Sequence, residues 1–467
     1  MESRYLKWSA LIVAFFAVLT ATAQKRYEFS VREALDYARK NSAQVKNALI
    51  GIESQKQVNR EITALAFPQI NGSMGANYNP NVTVQQFPNF IAQGTYGVLA
   101  AEGVKNGSGV TVTSPSDFGL IAAQFGTKFN ANYGLTLNQL LFDGQVFVGL
   151  QARKTSIDFA TKNVEVTDEI IKANIYKIYY QLAASIEPLR IVDANIAAST
   201  KLRNDLQKIY ENGFAEKLEV NQAEVQLTNL QAERIKALNT IANGYLGLKM
   251  LMGMPMKDTL VLTDSLTYEK IKDGVLENSV YNYADRKEFQ LAEIGKKLRE
   301  FDIKRYKLTQ APIVSLSSNY SRISQSDKFN FFGGAKWYPS SSVGVNISIP
   351  IFDGFARSAR IEQARLRLQE TENEMENLKL SIDQEVNQAL NNYRSALETL
   401  ENQKRNIDLA QLVYDQSKLK YEQGLGETSG ITLAQRDLQV AQSNYLLSLY
   451  DAINAKVDFL KATGKLQ

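Results

Sequence analysis

The chain has no cysteine and no histidine. Without thiols there are no disulfides, no lipid-bearing cysteine and no thiol nucleophile. Without either residue the common zinc sites, the Ser-His-Asp arrangement and the Cys-His pair are excluded. Carboxylates alone could support acid–base chemistry, but the 49 Asp and Glu are nearly matched by 53 Lys and Arg. Acidic clusters such as Glu370, Glu372, Glu374 and Glu376 fall on rod-like helical stretches and not in a concave site. The composition therefore argues against an enzyme. A net charge of +4 is too weak a bias to point to nucleic acid.

Long apolar runs are missing too. A helix that crosses a bilayer needs about 20 apolar residues, and nothing after the first two dozen positions approaches that. The start has Arg4 and Lys7, an apolar run from Ala10 to Leu19, and Ala21-Thr22-Ala23. That is the pattern of a secretory signal peptide over residues 1–23. If the chain sits in a membrane it does so through β-strands, which would place it in the outer membrane of a double-membraned bacterium.

What the sequence does contain is a long-range repeat. Leu141, Phe142, Asp143 and Gly144 reappear as Ile351, Phe352, Asp353 and Gly354, an offset of 210 (353 minus 143). Each copy leads into a helical run that ends in a Tyr-Glu-(Asn/Gln)-Gly turn, Tyr210–Gly213 and Tyr421–Gly424, now offset by 211 (424 minus 213). A second run then reaches Met252-Gly253 or Thr463-Gly464 at the same offset. The chain reads as a duplicated unit: a first repeat over 24–253, a connector over 254–274 and a second repeat over 275–467, each too elongated to bury its own apolar faces.

Each repeat opens on a helix that a proline ends. The first is expected from Ser30, with Glu33 at capping-box spacing, to Ala66 before Phe67-Pro68. Its counterpart runs from about Val275 to Gln310 before Ala311-Pro312. A strand hairpin follows in each repeat. Its polar joining loops are expected from about Asn81 to Thr127 and from about Ser324 to Ser341. The return strands alternate: Val343, Val345, Ile347, Ile349 and Ile351 share one face, with Gly344, Asn346 and Ser348 opposite. In the first repeat Tyr133, Leu135, Leu137 and Leu141 oppose Gly134, Thr136 and Asn138, and Gln139 breaks the apolar side. Such strands suit a half-buried soluble sheet or a membrane barrel with lipid outside and water inside, and the secretion signal, the long loops and the lack of a companion core favour the barrel. Four strands cannot enclose a water-filled lumen, so the chain must oligomerise.

The helical runs Gly144–Asn212 and Phe355–Gln423 would each span on the order of 100 Å if straight. In the second, Ile361, Leu368, Met375, Ile382, Ala389 and Ala396 recur every seven positions, and so do Val386, Tyr393, Leu400, Ile407, Tyr414 and Tyr421. That is a coiled-coil seam. Leu366, Leu380, Leu390 and Leu397 lie off it, which calls for neighbours on both sides, as in a ring of helices. Pro188 is expected to kink or split the first run near Ile186–Leu189. Within the connector, Thr259 to Thr263 is β-rich and is expected to pack against the helices.

Together the signal peptide, the duplicated plan, the Pro350–Gly354 element and the Tyr-Glu-x-Gly turns resemble the TolC family of outer-membrane efflux and type I secretion channels. The resemblance covers about residues 24–467. It implies a homotrimer, mainly α with a membrane β-barrel portion. Four strands per protomer would form a 12-stranded outer-membrane barrel continuous with a coiled-coil α-helical tunnel across the periplasm. It also implies a passive exit duct coupled to an inner-membrane pump through a periplasmic adaptor, with no catalysis and no cofactor. A structural coiled-coil tether or adhesin-like stalk of the periplasm or cell surface is the alternative.

The resemblance places gating at the free ends of the helical hairpins. Tyr421 matches a tyrosine that helps hold the closed tip, and Tyr210 is its partner copy. Some members close the tip with acidic residues six and nine positions after the second turn glycine. Here those positions are Gly430 and Leu433, so that ring is missing, while the first copy carries Glu219 and Gln222 at the equivalent offsets. Three Glu219 side chains about 6 Å apart would repel pairwise by about 3 kcal/mol at an effective dielectric near 20, and would attract cations. Leu433 suits an apolar gate. Glu216 and Glu427 are expected in the first turn of the next helix, and Gly213, Phe214, Gly424 and Leu425 form the turns where an adaptor would dock. The cargo and the identity of pump and adaptor are not written in the sequence.

Overall fold

The structure, a computed structural model, describes residues 25–264, 271, 281–423 and 425–466. The signal peptide at 1–23, connector residues 265–270 and 272–274, and Gly424 lie outside the described residues. In chain order the elements are β1 (Arg26–Phe29), α1 (Val31–Asn41), α2 (Ala43–Ala64), β2 (Gln69–Tyr78), β3 (Val84–Pro88), α3 (Phe90–Ala101), β4 (Leu120–Gln124), β5 (Phe129–Phe142), α4 (Gly144–Glu211), α5 (Lys217–Met252), β6 (Thr259–Leu262), α6 (Lys287–Lys307), β7 (Ile313–Ser326), β8 (Tyr338–Ser348), α7 (Ala356–Glu422) and α8 (Thr428–Ala462). The described residues divide into a helical unit (25–58, those within 152–302, and those from 363) and a strand unit (59–151 and 303–362).

In the helical unit, α1 starts on the expected capping box. Ser30 N–H donates to Glu33 Oε2 at 2.8 Å and Glu33 N–H donates to Ser30 Oγ at 3.3 Å, which holds the Glu33 carboxyl below its ordinary range. The single helix expected from Ser30 to Ala66 is two helices, because Ser42 takes an extended conformation (φ −57°, ψ 130°). Asn41 and Ser42 are residues that favour turns over helix interiors, and a Cβ at Gly253 would collide with the Asn41 carbonyl. The connector strand β6 pairs in parallel with β1, from Arg26↔Thr259 to Phe29↔Leu262; the sequence reading did not place β1.

The core between these pieces joins α1 (Val31, Leu35), α4 (Ile171, Ile175, Tyr179), α5 (Leu248, Met252) and Leu260. The Tyr179 hydroxyl is fully used: it donates to the Phe29 carbonyl at 2.8 Å and accepts from Asp264 N–H at 3.1 Å. A second core packs Ile382, Val386 and Tyr393 of α7 on Phe459 of α8, and the Tyr393 hydroxyl donates to the Ile271 carbonyl at 2.7 Å. Both heptad series of α7 lie on its buried or half-buried stripe, from Ile361 to Tyr421, while Leu366 and Leu380 stay exposed. The helix α4 does not break at Pro188 and is continuous through it. The lost N–H costs one backbone bond, but buried Leu182 and Val192 hold the helix on either side, and Ser185 Oγ donates to the Gln181 carbonyl at 2.7 Å.

The strand unit is a four-stranded antiparallel sheet in the order β2-β5-β7-β8. The stretch Asn81–Thr127, expected as a polar loop joining two strands, contains a β3–β4 ribbon flanking α3.

Candidate functional site: a two-faced sheet and the helical-hairpin turns

Strand register sorts the sheet into two chemically distinct faces. One face carries cross-strand rows of amides and hydroxyls: Asn71–Thr136–Asn319–Ser342, Ser73–Gly134–Ser321–Ser340 and Gln69–Asn138–Ser317–Gly344. Neighbours on it bond one another, Thr136 Oγ1 to Asn319 Oδ1 at 3.3 Å and Asn346 Nδ2 to Ser317 Oγ at 3.2 Å. These rows contain no acidic or basic side chain. The opposite face carries Ile70–Leu137–Ser318–Val343 and Gly72–Leu135–Tyr320–Ser341. Its apolar side chains are open: Met74 is 87% exposed and Val343 74%. Every residue of β8 is exposed, and on β5 and β7 only Ala131 and Ser324 are buried. The outer edges of β2 and β8 have no strand partner among the described residues. The alternation written for Val343, Val345 and Ile347 holds; Ile349 and Ile351 lie past the end of β8.

In the helical unit the hairpin turns are built on one hydrogen-bond scheme. Gly213 is left-handed (φ 80°), its N–H donates to the Tyr210 carbonyl at 2.8 Å, and Phe214 N–H reaches back to the Ile209 carbonyl at 3.0 Å. That is a Schellman stop. At the second turn Leu425 N–H donates to the Lys420 carbonyl at 2.9 Å, the same reach of five residues. Gly253 and Gly464 repeat the pattern at the far ends of α5 and α8.

Tyr210 lies under the Lys217 ammonium, 5.3 Å from its ring centre, and Tyr421 is half-buried. Phe214 and Leu425 project into solvent, 86% and 78% exposed. Glu216 and Glu427 sit one position earlier than expected, at the N-caps of α5 and α8 and not in their first turns, and neither side chain caps the helix. The acid in the first turn of α5 is Glu219, which is half-buried. Gln222 and Leu433 line one open groove between α5 and α8 with Val225, Gln226 and Arg436, whereas Gly430 is exposed in the first turn of α8. Among the described residues no group of three or more Asp and Glu could hold a metal ion.

Sequence reasoning missed two features. Amides tie α8 to the first hairpin: Gln435 Nε2 donates to buried Ser199 Oγ of α4 at 2.8 Å, and Gln439 Nε2 to Glu233 of α5 at 2.7 Å. Arginines also tie the opening segment of each repeat to a long helix. Arg39 grips Asp168 of α4 through two bonds at 2.8 and 2.9 Å. Arg286, buried, donates to Glu385 of α7 and to the Ala462 carbonyl, both at 2.8 Å. A second local repeat could have flagged them: Tyr37-Ala38-Arg39-Lys40 and Tyr283-Ala284-Asp285-Arg286-Lys287.

Residues 284–465 match the protein family described as "Outer membrane efflux protein". The chain is 25% identical over 340 residues to Protein CyaE of Bordetella pertussis, covering 71% of this chain and 70% of that one. To the outer membrane protein TolC of Vibrio cholerae it is 19% identical over 335 residues, covering 71% and 76%. Its fold superimposes on the Campylobacter jejuni CmeC outer membrane channel with a TM-score of 0.69 at 17% identity, over 93% of this chain and 85% of that one. The long helices, the open four-stranded sheet and these likenesses agree: residues 284–465 match the outer membrane efflux protein family, and the fold is that of the TolC-like channels.

Proposed function

We propose that the chain is one protomer of a homotrimeric outer-membrane exit duct. Three sheets pair edge to edge, β2 of one copy beside β8 of the next, and close a 12-stranded barrel with lipid outside and water inside. The long helices enclose a tunnel through the periplasm. An inner-membrane pump passes cargo to it through a periplasmic adaptor, in efflux or type I secretion. The duct is passive; the pump supplies the energy. We read the chain as two copies of one unit, 24–253 and 275–467, joined by the connector 254–274.

The observation that carries this reading is the sheet. An exposed apolar face is unstable in water, and a sheet with both edges open invites further pairing. Barrel closure in a bilayer satisfies both at once. The uncharged rows of Asn, Ser, Thr and Gln then form a hydrated wall that selects neither sign of charge. A soluble tether has no use for such a face.

The test is the state of the protein in outer-membrane fractions. An unboiled sample is expected to migrate as a three-chain species that collapses to single chains on boiling; single chains in the soluble periplasm would contradict the reading. At the hairpin turns, exposed Phe214 and Leu425 are the side chains an adaptor would meet. Replacing both by alanine is expected to cut export at unchanged expression, and unaltered export would remove them from the docking surface.

A further inference from the structure

We propose that the segment between β2 and β5 is an intersubunit clasp, in which α3 lies against the aromatic β7–β8 loop of the neighbouring copy. The inference rests on the trimeric barrel proposed above.

From Ile62 to Ala101 the chain has no acidic or basic residue. The helix α3 falls inside this stretch and buries no residue within its own chain. Phe90, Ile91 and Val98 stand exposed on it, and the space over Gly94 and Gly97 is open. So uncharged a helix, with large apolar side chains exposed, calls for a covering surface, and that cover must come from elsewhere. It is also held in place. Asn89 caps it by accepting from Ala92 N–H at 3.0 Å, Tyr96 meets Phe118 at 5.7 Å between ring centres, and Phe87 of β3 meets Phe125 at 5.1 Å. The helix is thus a presented surface.

Lipid fits it poorly. Helices that lie on membranes combine an apolar face with a strongly polar one rich in Lys and Arg, and α3 has no charge at all. A second copy fits better, because topology brings one there. The edge strand β2 ends at Tyr78, where the segment begins. In a closed ring the next strand is β8 of the neighbouring copy, and antiparallel alternation sets the start of that strand, Tyr338, beside Tyr78. The loop that precedes Tyr338 is aromatic. Phe331 and Trp337 pack back on Phe129 and Tyr133 of their own β5, but Phe332 is 95% exposed. Each copy therefore offers an uncovered apolar helix at one edge and uncovered aromatics at the other, a head-to-tail match that closes as a ring.

The absence of cysteine makes a clean test. Val98→Cys and Phe332→Cys are combined in one chain, and the detergent-extracted protein is treated with a short bismaleimide. The same preparation is weighed by mass photometry. The clasp predicts a covalent dimer and trimer ladder for the double variant and single chains for each single variant, all from trimeric particles. Trimeric particles without a ladder would overturn the clasp and leave the barrel standing. A ladder from Val98→Cys alone would also overturn it, by showing that the α3 helices meet one another. Monomeric particles would remove the trimer and the clasp together.

Discussion

Glu169 of α4 is a half-buried carboxyl without a full set of partners. Its Oε2 is buried and unbonded, and burial, reinforced by Glu288, pushes its carboxyl up, against the pull of Arg286, Lys287 and Lys461. A carboxyl held above its unfolded value binds its proton more tightly in the folded state. Stability is then greatest below the ordinary value of 4.5 and is lost as pH rises through the folded value. Glu169→Gln should raise the melting temperature at pH 7, and the gain should vanish as pH falls below 4.5. A gain that stays constant with pH would point to packing instead. None of this was legible in the sequence, because the shift depends on which helices cover Glu169. The turn glycines were legible, since a left-handed stop follows from a local pattern: Gly213 sits in open space and is needed only for its backbone, whereas Gly253 also lies too close to Asn41 for any side chain.

At the scale of elements, the alternation along β5 and β8 could be read directly, because a period of two survives in any half-covered strand. The α7 seam could be read for the same reason at a period of 3.5. The insertion could not. Gly94, Thr95 and Gly97 are poor helix formers, so α3 reads as loop, and β1 is too short to announce itself without its partner β6. The split expected at Pro188 is absent because packing on both sides outweighs one missing hydrogen bond. The two sheet faces make opposite predictions. Leu135→Lys puts a charge in lipid near the middle of β5 and should cost about 2–4 kcal/mol per copy, seen as loss of the heat-resistant trimer. Asn132→Asp, on the polar face, should leave the trimer intact and shift the reversal potential in a bilayer salt gradient toward cations. Equal effects from both would mean that the faces are assigned wrongly.

For the whole molecule, the sequence held the plan and withheld the assembly. The repeat at 210–211 residues, the strands and the hairpin turns were all visible in it. In the proposed trimer what closes the sheet lies between copies and leaves only indirect marks: edges of β2 and β8 open among the described residues, Leu366 and Leu380 exposed off the α7 seam, and an exposed α3. Electron microscopy of the protein extracted in detergent from outer membranes tests the central claim most directly. The account predicts a three-fold particle with a detergent-belted barrel at one end of a long helical tube. Single chains, or an unbelted rod recovered from the soluble periplasm, would contradict it.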